Sequence, residues 1–183
     1  MKRVYLVRHG QTESSAKHAY SGQADIPLTD LGREQAREAG EQLRNAGVDR
    51  IYTSPLVRAA DTAEAIAHAT GAALEVAQGL LEVDYGPLEG LDRERAQERF
   101  GEAFRAWRAD PFGSPVDGME PLEDALARAR SATEHALAAS ERPVLVGHQG
   151  ILRLVLIALG RVERSEYFNT RLTEADPIEV ALD

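Results

Sequence analysis

Val4-Tyr5-Leu6-Val7-Arg8-His9-Gly10-Gln11-Thr12 decides how this 183-residue chain is read. Four apolar residues run without a charge into an Arg-His-Gly turn. A short continuous apolar run of this kind reads as a strand buried on both faces, the sort found in parallel sheets. In open α/β sheets, ligands bind in the crevice beyond the carboxyl ends of the strands. Arg8 and His9 are therefore expected at that edge, with Gly10 freeing the backbone to turn and approach a ligand closely.

Working outward, the same theme recurs near the other end of the chain. Pro143-Val144-Leu145-Val146 is a second apolar strand that enters a histidine turn, Gly147-His148-Gln149-Gly150. Between the two, strand and helix patterns alternate. Residues 13–28 are polar and aperiodic and read as a loop. Residues 30–46 follow Thr29 as N-cap and present Leu31, Ala36, Ala39, Leu43 and Ala46 as one apolar stripe. Residues 48–53 read as a strand. Ser54 as N-cap and Pro55 at the first helical position then open a helix that runs to Thr70.

Residues 74–76 make a weak strand, 79–90 an irregular acidic segment, and 92–109 a charged helix. After a Pro- and Gly-rich loop at 110–118 comes an alanine-rich helix over 121–140. A helix over 151–159 follows the second histidine, and 166–170 and 178–182 read as closing edge strands. Alternation of this kind gives an α/β three-layer sandwich, a mostly parallel sheet with helices on both faces. No repeat or linker divides the chain, so residues 1–183 read as a single domain.

Composition narrows the function classes. Hydrophobic content of 43% and charged content of 28% are those of an ordinary globular protein. A net charge of −9 argues against nucleic acid and anionic membrane as partners. The absence of cysteine excludes disulfides, thiolate metal sites and a cysteine nucleophile. The apolar run before Arg8 is too short for a signal peptide, and Arg153 interrupts the longest later one, so the cytoplasm is the expected compartment.

Three strand exits carry reactive or cationic side chains: Arg8 and His9, Arg58 one turn into its helix, and His148. Two guanidiniums and two imidazoles at one sheet edge make a site for a dianion such as a phosphate. The mixed-sign run 92–99 reads instead as a solvated helix face. Phe100, Phe104 and Trp107 share a helix face and read as core, the alternative being a lid over the site. His18 reads as an exposed loop residue, and His68 and His135 as helix surface residues.

These blocks resemble a known family. Leu6-Val7-Arg8-His9-Gly10-Gln11-Thr12 is similar to the signature of the histidine phosphatase superfamily, which includes the cofactor-dependent phosphoglycerate mutases. Asp25-Ile26-Pro27-Leu28-Thr29 with Gly32 and Gln35-Ala36, the block Ser54 to Ala63, Leu81-Glu82-Val83-Asp84-Tyr85-Gly86 with Glu89-Gly90, and Val146-Gly147-His148 match its later blocks in the family's order. The resemblance implies a phosphoglycerate mutase-like fold and transfer of a phosphoryl group through a phosphohistidine.

On that resemblance His9 is the nucleophile and Glu82 the proton donor and acceptor, with Asp84 and Glu89 as nearby alternatives for the acid. Arg8, Arg58 and His148 hold the phosphoryl oxygens. Gln11, Thr12, Ser15, Gly22 and Gln149 are expected to contact phosphate or substrate. Ser15 stands where the family often has asparagine, and Gln149 where glycine is common. No metal is implied, and no cofactor unless the chain is a mutase, which needs 2,3-bisphosphoglycerate to load its histidine. The short chain favours a phosphatase acting on small phosphate monoesters. The mutase is the alternative, and a non-catalytic phosphate-binding module is a distant third. Whether the chain forms a homodimer is open.

Overall fold

A computed structural model describes residues 2–182. The chain alternates strand and helix as its pattern predicts. In order the elements are β1 (Lys2–Arg8), α1 (Glu13–Ala16), α2 (Asp30–Leu43), β2 (Arg50–Thr53), α3 (Val57–Thr70), β3 (Ala73–Val76), α4 (Arg93–Ala109), α5 (Leu122–Ala139), β4 (Pro143–Gly147), α6 (Gln149–Ala158) and β5 (Ile178–Leu182). Short 3₁₀ turns fall at Gln78–Leu80, Gly86–Leu88 and Arg164–Glu166. The strands form one sheet in the order β3-β2-β4-β1-β5, parallel except for β5.

The apolar runs of β1 and β4 lie at the centre because both of their faces are covered. Val4 and Leu6 pack with Leu145, Tyr52 and the apolar sides of α4, α5 and α6. Tyr5 and Val7 point the other way, with Ile51, Val144 and Val146, onto α2 and α3. This is the period-2 alternation of a strand, doubled by helices on either side. Phe104 and Trp107 are fully buried in the first of these clusters, so the core reading of these two side chains holds. Among the described residues no helix is long and apolar enough to cross a membrane.

Several local expectations give way to tertiary contacts. Leu31 is 53% exposed, off the buried face formed by Ala36, Ala39 and Leu43. α3 begins at Val57, with Leu56 at the N-cap and no side-chain cap. The polar stretch after β1 starts with a one-turn helix, closed by a reciprocal capping box between Thr12 and Ser15. α4 kinks at Gly101, which takes φ 49° and ψ −112°. Residues 166–170 form a turn and not a strand. Their aromatic content packs Tyr167 and Phe168 edge-on to one another, with Phe168 edge-on to Trp107, in place of lining a sheet.

Register carries the sheet into the site. Arg8 of β1 pairs with Gly147 of β4, and Thr53 of β2 pairs with Val146. The next residues, His9, His148 and Ser54, therefore emerge side by side at the carboxyl edge. His9 N–H extends the ladder by donating to the Gly147 carbonyl at 2.9 Å, and Ser54 N–H donates to that of Val146 at 3.0 Å.

Candidate active site

At this edge lies a cleft of about 550 Å³, with Arg8, His9, Ser15, Glu82 and Gln149 among the residues lining it. His9 is 95% removed from solvent, at 5% relative exposure. Its Nδ1 lies 2.7 Å from the Gly10 carbonyl, which accepts and so requires a proton on Nδ1. The other nitrogen, Nε2, then carries a lone pair, and it has no hydrogen-bond partner among the described residues. Burial, then Arg8, then Arg58 hold the imidazole's pKa well below the ordinary 6.5, so the ring is neutral at neutral pH.

Gly10 has a different role from the one expected of it. A Cβ there would overlap the backbone carbonyl of Gly32 in the first turn of α2, so the missing side chain lets α2 pack against the His9 turn. Gln11 and Thr12 were expected to line the cleft, and they do not. Gln11 Oε1 accepts from the Thr29 hydroxyl at 3.0 Å, and the Thr12 hydroxyl caps α1. Ser15 does line the cleft, although its hydroxyl is bonded back to Thr12 N–H and carbonyl at 2.9 and 3.1 Å.

Arg58 and His148 stand behind His9, fully buried. The His9 and His148 ring centroids are 5.1 Å apart. Arg58 donates from Nε to His148 Nδ1 at 3.1 Å. Its Nη atoms donate to the carbonyls of Ser21, Gly22 and Ala24 at 2.7–3.2 Å. The Gly22 carbonyl thus holds Arg58, and Gly22 is not itself among the residues that line the cleft. Because His148 Nδ1 accepts, its Nε2 carries the proton and donates to Ser54 Oγ at 2.7 Å. Ser54 is thus engaged across the sheet, and Leu56 takes the α3 N-cap position. His148 is also held well below 6.5, by burial first and then by Arg58 and His9.

Of the three candidate acids, only Glu82 reaches the cleft. Asp84 accepts from Gly86 N–H at 2.8 Å and Glu89 from Ala24 N–H at 2.7 Å, so both hold loops. The Glu82 carboxylate accepts from the N–H groups of Val83, Gly150 and Ile151 at 2.8–3.0 Å, two of them in the first turn of α6. Gly150 permits this, since a side chain there would collide with Glu82 and with the Tyr85 hydroxyl. Burial raises the Glu82 pKa above 4.5 despite those bonds and the pull of Arg58. Arg128 of α5 anchors the acid's loop. It donates to the carbonyls of Gly79, Leu81 and Glu82 and pairs with Glu120 through two 2.8 Å bonds. As one of two arginines in an alanine-rich helix, Arg128 gave no hint of this.

The other feature missed in the sequence is the cationic rim. Arg93, Arg108, Arg153 and Arg171 also line the cleft, and none is ion-paired to a carboxylate among the described residues. Arg108 lies over the Phe168 ring, 3.7 Å from its centroid. His18 sits at the mouth, exposed, with φ 56°. His68 and His135 lie on exposed helix surfaces far from the cleft, with His135 at 3.4 Å from Glu75. Among the described residues no cluster of three His, Asp or Glu side chains is placed to hold a metal ion.

At and behind the cleft thus stand the His9 imidazole with a free lone pair, the half-buried Arg8, the fully buried Arg58 and a Glu82 carboxyl of raised pKa. Comparison with known proteins points the same way. A sequence profile of the histidine phosphatase superfamily (branch 1) matches residues 4–182. The chain is 32% identical over 184 residues to a protein of Hydrogenobacter thermophilus provisionally named phosphoserine phosphatase 2, covering 100% of this chain and 91% of that one. It is 35% identical over 185 residues to a 2,3-bisphosphoglycerate-dependent phosphoglycerate mutase of Sinorhizobium fredii, covering 96% and 87%. A longer relative from Arabidopsis thaliana, 34% identical, is matched over only 36% of its length. A solved mycobacterial glucosyl-3-phosphoglycerate phosphatase in complex with VO3 superposes with a TM-score of 0.89 at 29% identity, over 99% of this chain and 93% of that one.

Proposed function

The chain belongs to the histidine phosphatase superfamily, and on that premise we propose that it hydrolyses small phosphate monoesters through a phosphohistidine, without a metal. The observation that carries the reading is the His9 Nδ1 bond to the Gly10 carbonyl, which fixes the tautomer whose Nε2 attacks. His9 Nε2 displaces the ester oxygen from phosphorus, and Glu82 gives its proton to that oxygen as the P–O bond breaks. Glu82, now a carboxylate, takes a proton from water as the water attacks the phosphohistidine, which releases inorganic phosphate and restores neutral His9. Arg8 and Arg58 stabilise charge spread over the phosphoryl oxygens, and His148 supports Arg58.

The cationic rim bears on the substrate. Four arginines without carboxylate partners, in a protein of net charge −9, favour a monoester that carries a second anionic group. Relatives named for phosphoserine, phosphoglycerate and glucosyl-3-phosphoglycerate fit this reading, since each of those compounds carries a carboxylate beside its phosphate. The mutase relative keeps a second reading alive, in which 2,3-bisphosphoglycerate loads His9.

One incubation with 3-phosphoglycerate, with and without 2,3-bisphosphoglycerate, separates the two. Free phosphate is the expected product, unaffected by the bisphosphate or by EDTA. Bisphosphate-dependent 2-phosphoglycerate with little free phosphate would make the chain a mutase. His9→Ala is expected to abolish the acid-labile phosphoenzyme and turnover together, and retained turnover would rule out the covalent route.

A further inference from the structure

Gln149, the first residue of α6, uses both ends of its amide. Oε1 accepts from Arg8 Nη1 at 3.3 Å and from the Leu172 N–H at 3.3 Å, and Nε2 donates to the Thr170 carbonyl at 3.2 Å. Arg8 Nη1 also donates to the Leu172 carbonyl at 3.2 Å, and its Nη2 lies 3.5 Å from Glu174. Residues 170–173 have no regular secondary structure, so side chains and not a ladder hold their backbone. The neighbouring Asn169 and Arg171 form one wall of the cleft.

We propose that Gln149 is a positioning residue that joins Arg8 to this wall, setting the guanidinium for phosphate and Arg171 for the rest of the substrate. The proposal rests on the phosphatase reading above and deepens it. Among the Arg8 nitrogens, Nε is buried without a partner, while Nη1 and Nη2 are tied to Gln149, Leu172 and Glu174. The orientation of the planar fork is therefore set from its far side. Arg153 also donates to the Thr170 carbonyl, at 2.6 Å, so that carbonyl keeps a partner if Gln149 is removed. The Leu172 N–H and Arg8 Nη1 do not both keep theirs. Loss of Gln149 should loosen the link to Arg8 more than the fold.

Two variants test this. Gln149→Ala removes the side chain, and Gln149→Met keeps its volume and removes both hydrogen-bonding ends. Inorganic phosphate is titrated calorimetrically, and p-nitrophenyl phosphate and 3-phosphoglycerate are compared as substrates. Both variants are expected to bind phosphate roughly 5- to 10-fold more weakly, the worth of one hydrogen bond. KM should rise more than kcat falls, and the loss in kcat/KM should be larger on 3-phosphoglycerate, which reaches the wall. A methionine variant with wild-type phosphate affinity would overturn the proposal, because volume alone would then suffice. Failure of both variants to fold would overturn it too, by making Gln149 a residue of stability. A wild-type protein that binds phosphate but hydrolyses no monoester would sink the phosphatase reading instead, and the phosphate titration would still decide the role of Gln149.

Discussion

Replacing Glu82 by glutamine tests the least accessible part of the mechanism. The carboxylate holds Val83 and Ile151 N–H on Oε1 and Gly150 N–H on Oε2. A glutamine of the same shape keeps the first two on its carbonyl and turns an NH₂ donor toward the third. The lost bond to a charged acceptor is worth about 1.5–3 kcal/mol. Relief of the buried charge offsets it, because burial is the leading cause of the raised Glu82 pKa. Net stability should therefore move by no more than about 2 kcal/mol in urea denaturation.

Activity should move far more, and selectively. Without a proton donor, an alkyl phosphate should lose about 100- to 10,000-fold in kcat. An aryl phosphate, whose leaving oxygen is much less basic, should lose no more than about tenfold. The pH profile gives an independent sign. The acid form of Glu82 persists above the ordinary carboxylate range, so wild-type turnover of the alkyl ester should fall as pH rises through that raised value. The variant should lack this limb. Equal losses on both esters in a folded variant would refute the assignment of Glu82 as the acid.

Two further outcomes follow from burial. His9 and His148 titrate well below 6.5 in the folded chain, so the unfolded chain takes up protons near 6.5 that the folded one refuses. Stability is complete above that pH and falls below it, by about 1.4 kcal/mol per histidine at pH 5.5. Glu82, whose pKa is raised, works in the opposite direction as pH falls through its folded value, so the pair's combined loss is an upper bound. Urea titrations at pH 7.5 and 5.5 check this, and a His148→Gln variant should show about half the pH effect; a flat profile in the wild type would contradict it. Trp107→Ala empties a fully buried site packed by Tyr20, Phe104 and Phe168, and should cost about 3–5 kcal/mol in the same assay. A loss under about 1 kcal/mol would show that the α4 face is not core.

What could be read in the chain beforehand was whatever is written locally. The two apolar runs that end in His9 and His148 state their own burial, and register then obliges the histidines to meet. Glu82 is different. Nothing in residues 79–90 distinguishes it from Asp84 or Glu89 except the likeness to a family block. Its selection depends on Arg128 from α5 and on the N–H groups of Gly150 and Ile151, contacts 46 to 69 residues away in sequence. Ser54 misled for the same reason. Ser-Pro is a fair local start for a helix, but the hydroxyl finds a better partner in His148 across the sheet. The strand expected at 166–170 failed because Tyr167 and Phe168 suit a strand and an aromatic cluster equally well, and only the neighbouring Trp107 decides between them.

The site's electrostatics tie these strands of argument together. Arg58 is wholly buried, and its donors are met by carbonyls and an imidazole, with no carboxylate in ion-pair contact among the described residues. Among the described residues the one carboxylate in contact with Arg8 is Glu174, at 3.5 Å. Burial works against both charges, lowering both arginine pKa values. Such a site is under-neutralised by construction. The same cations keep His9 and His148 neutral, and in the proposed mechanism that neutrality is what lets His9 attack at physiological pH. A phosphate dianion supplies the missing charge, so its binding should stabilise the fold as well as occupy the site. At 100 times its dissociation constant, inorganic phosphate should add about 2.7 kcal/mol. At that same phosphate concentration the gain should shrink in Arg8→Ala, which lacks one of the site's guanidiniums, and an undiminished gain would place the phosphate site elsewhere.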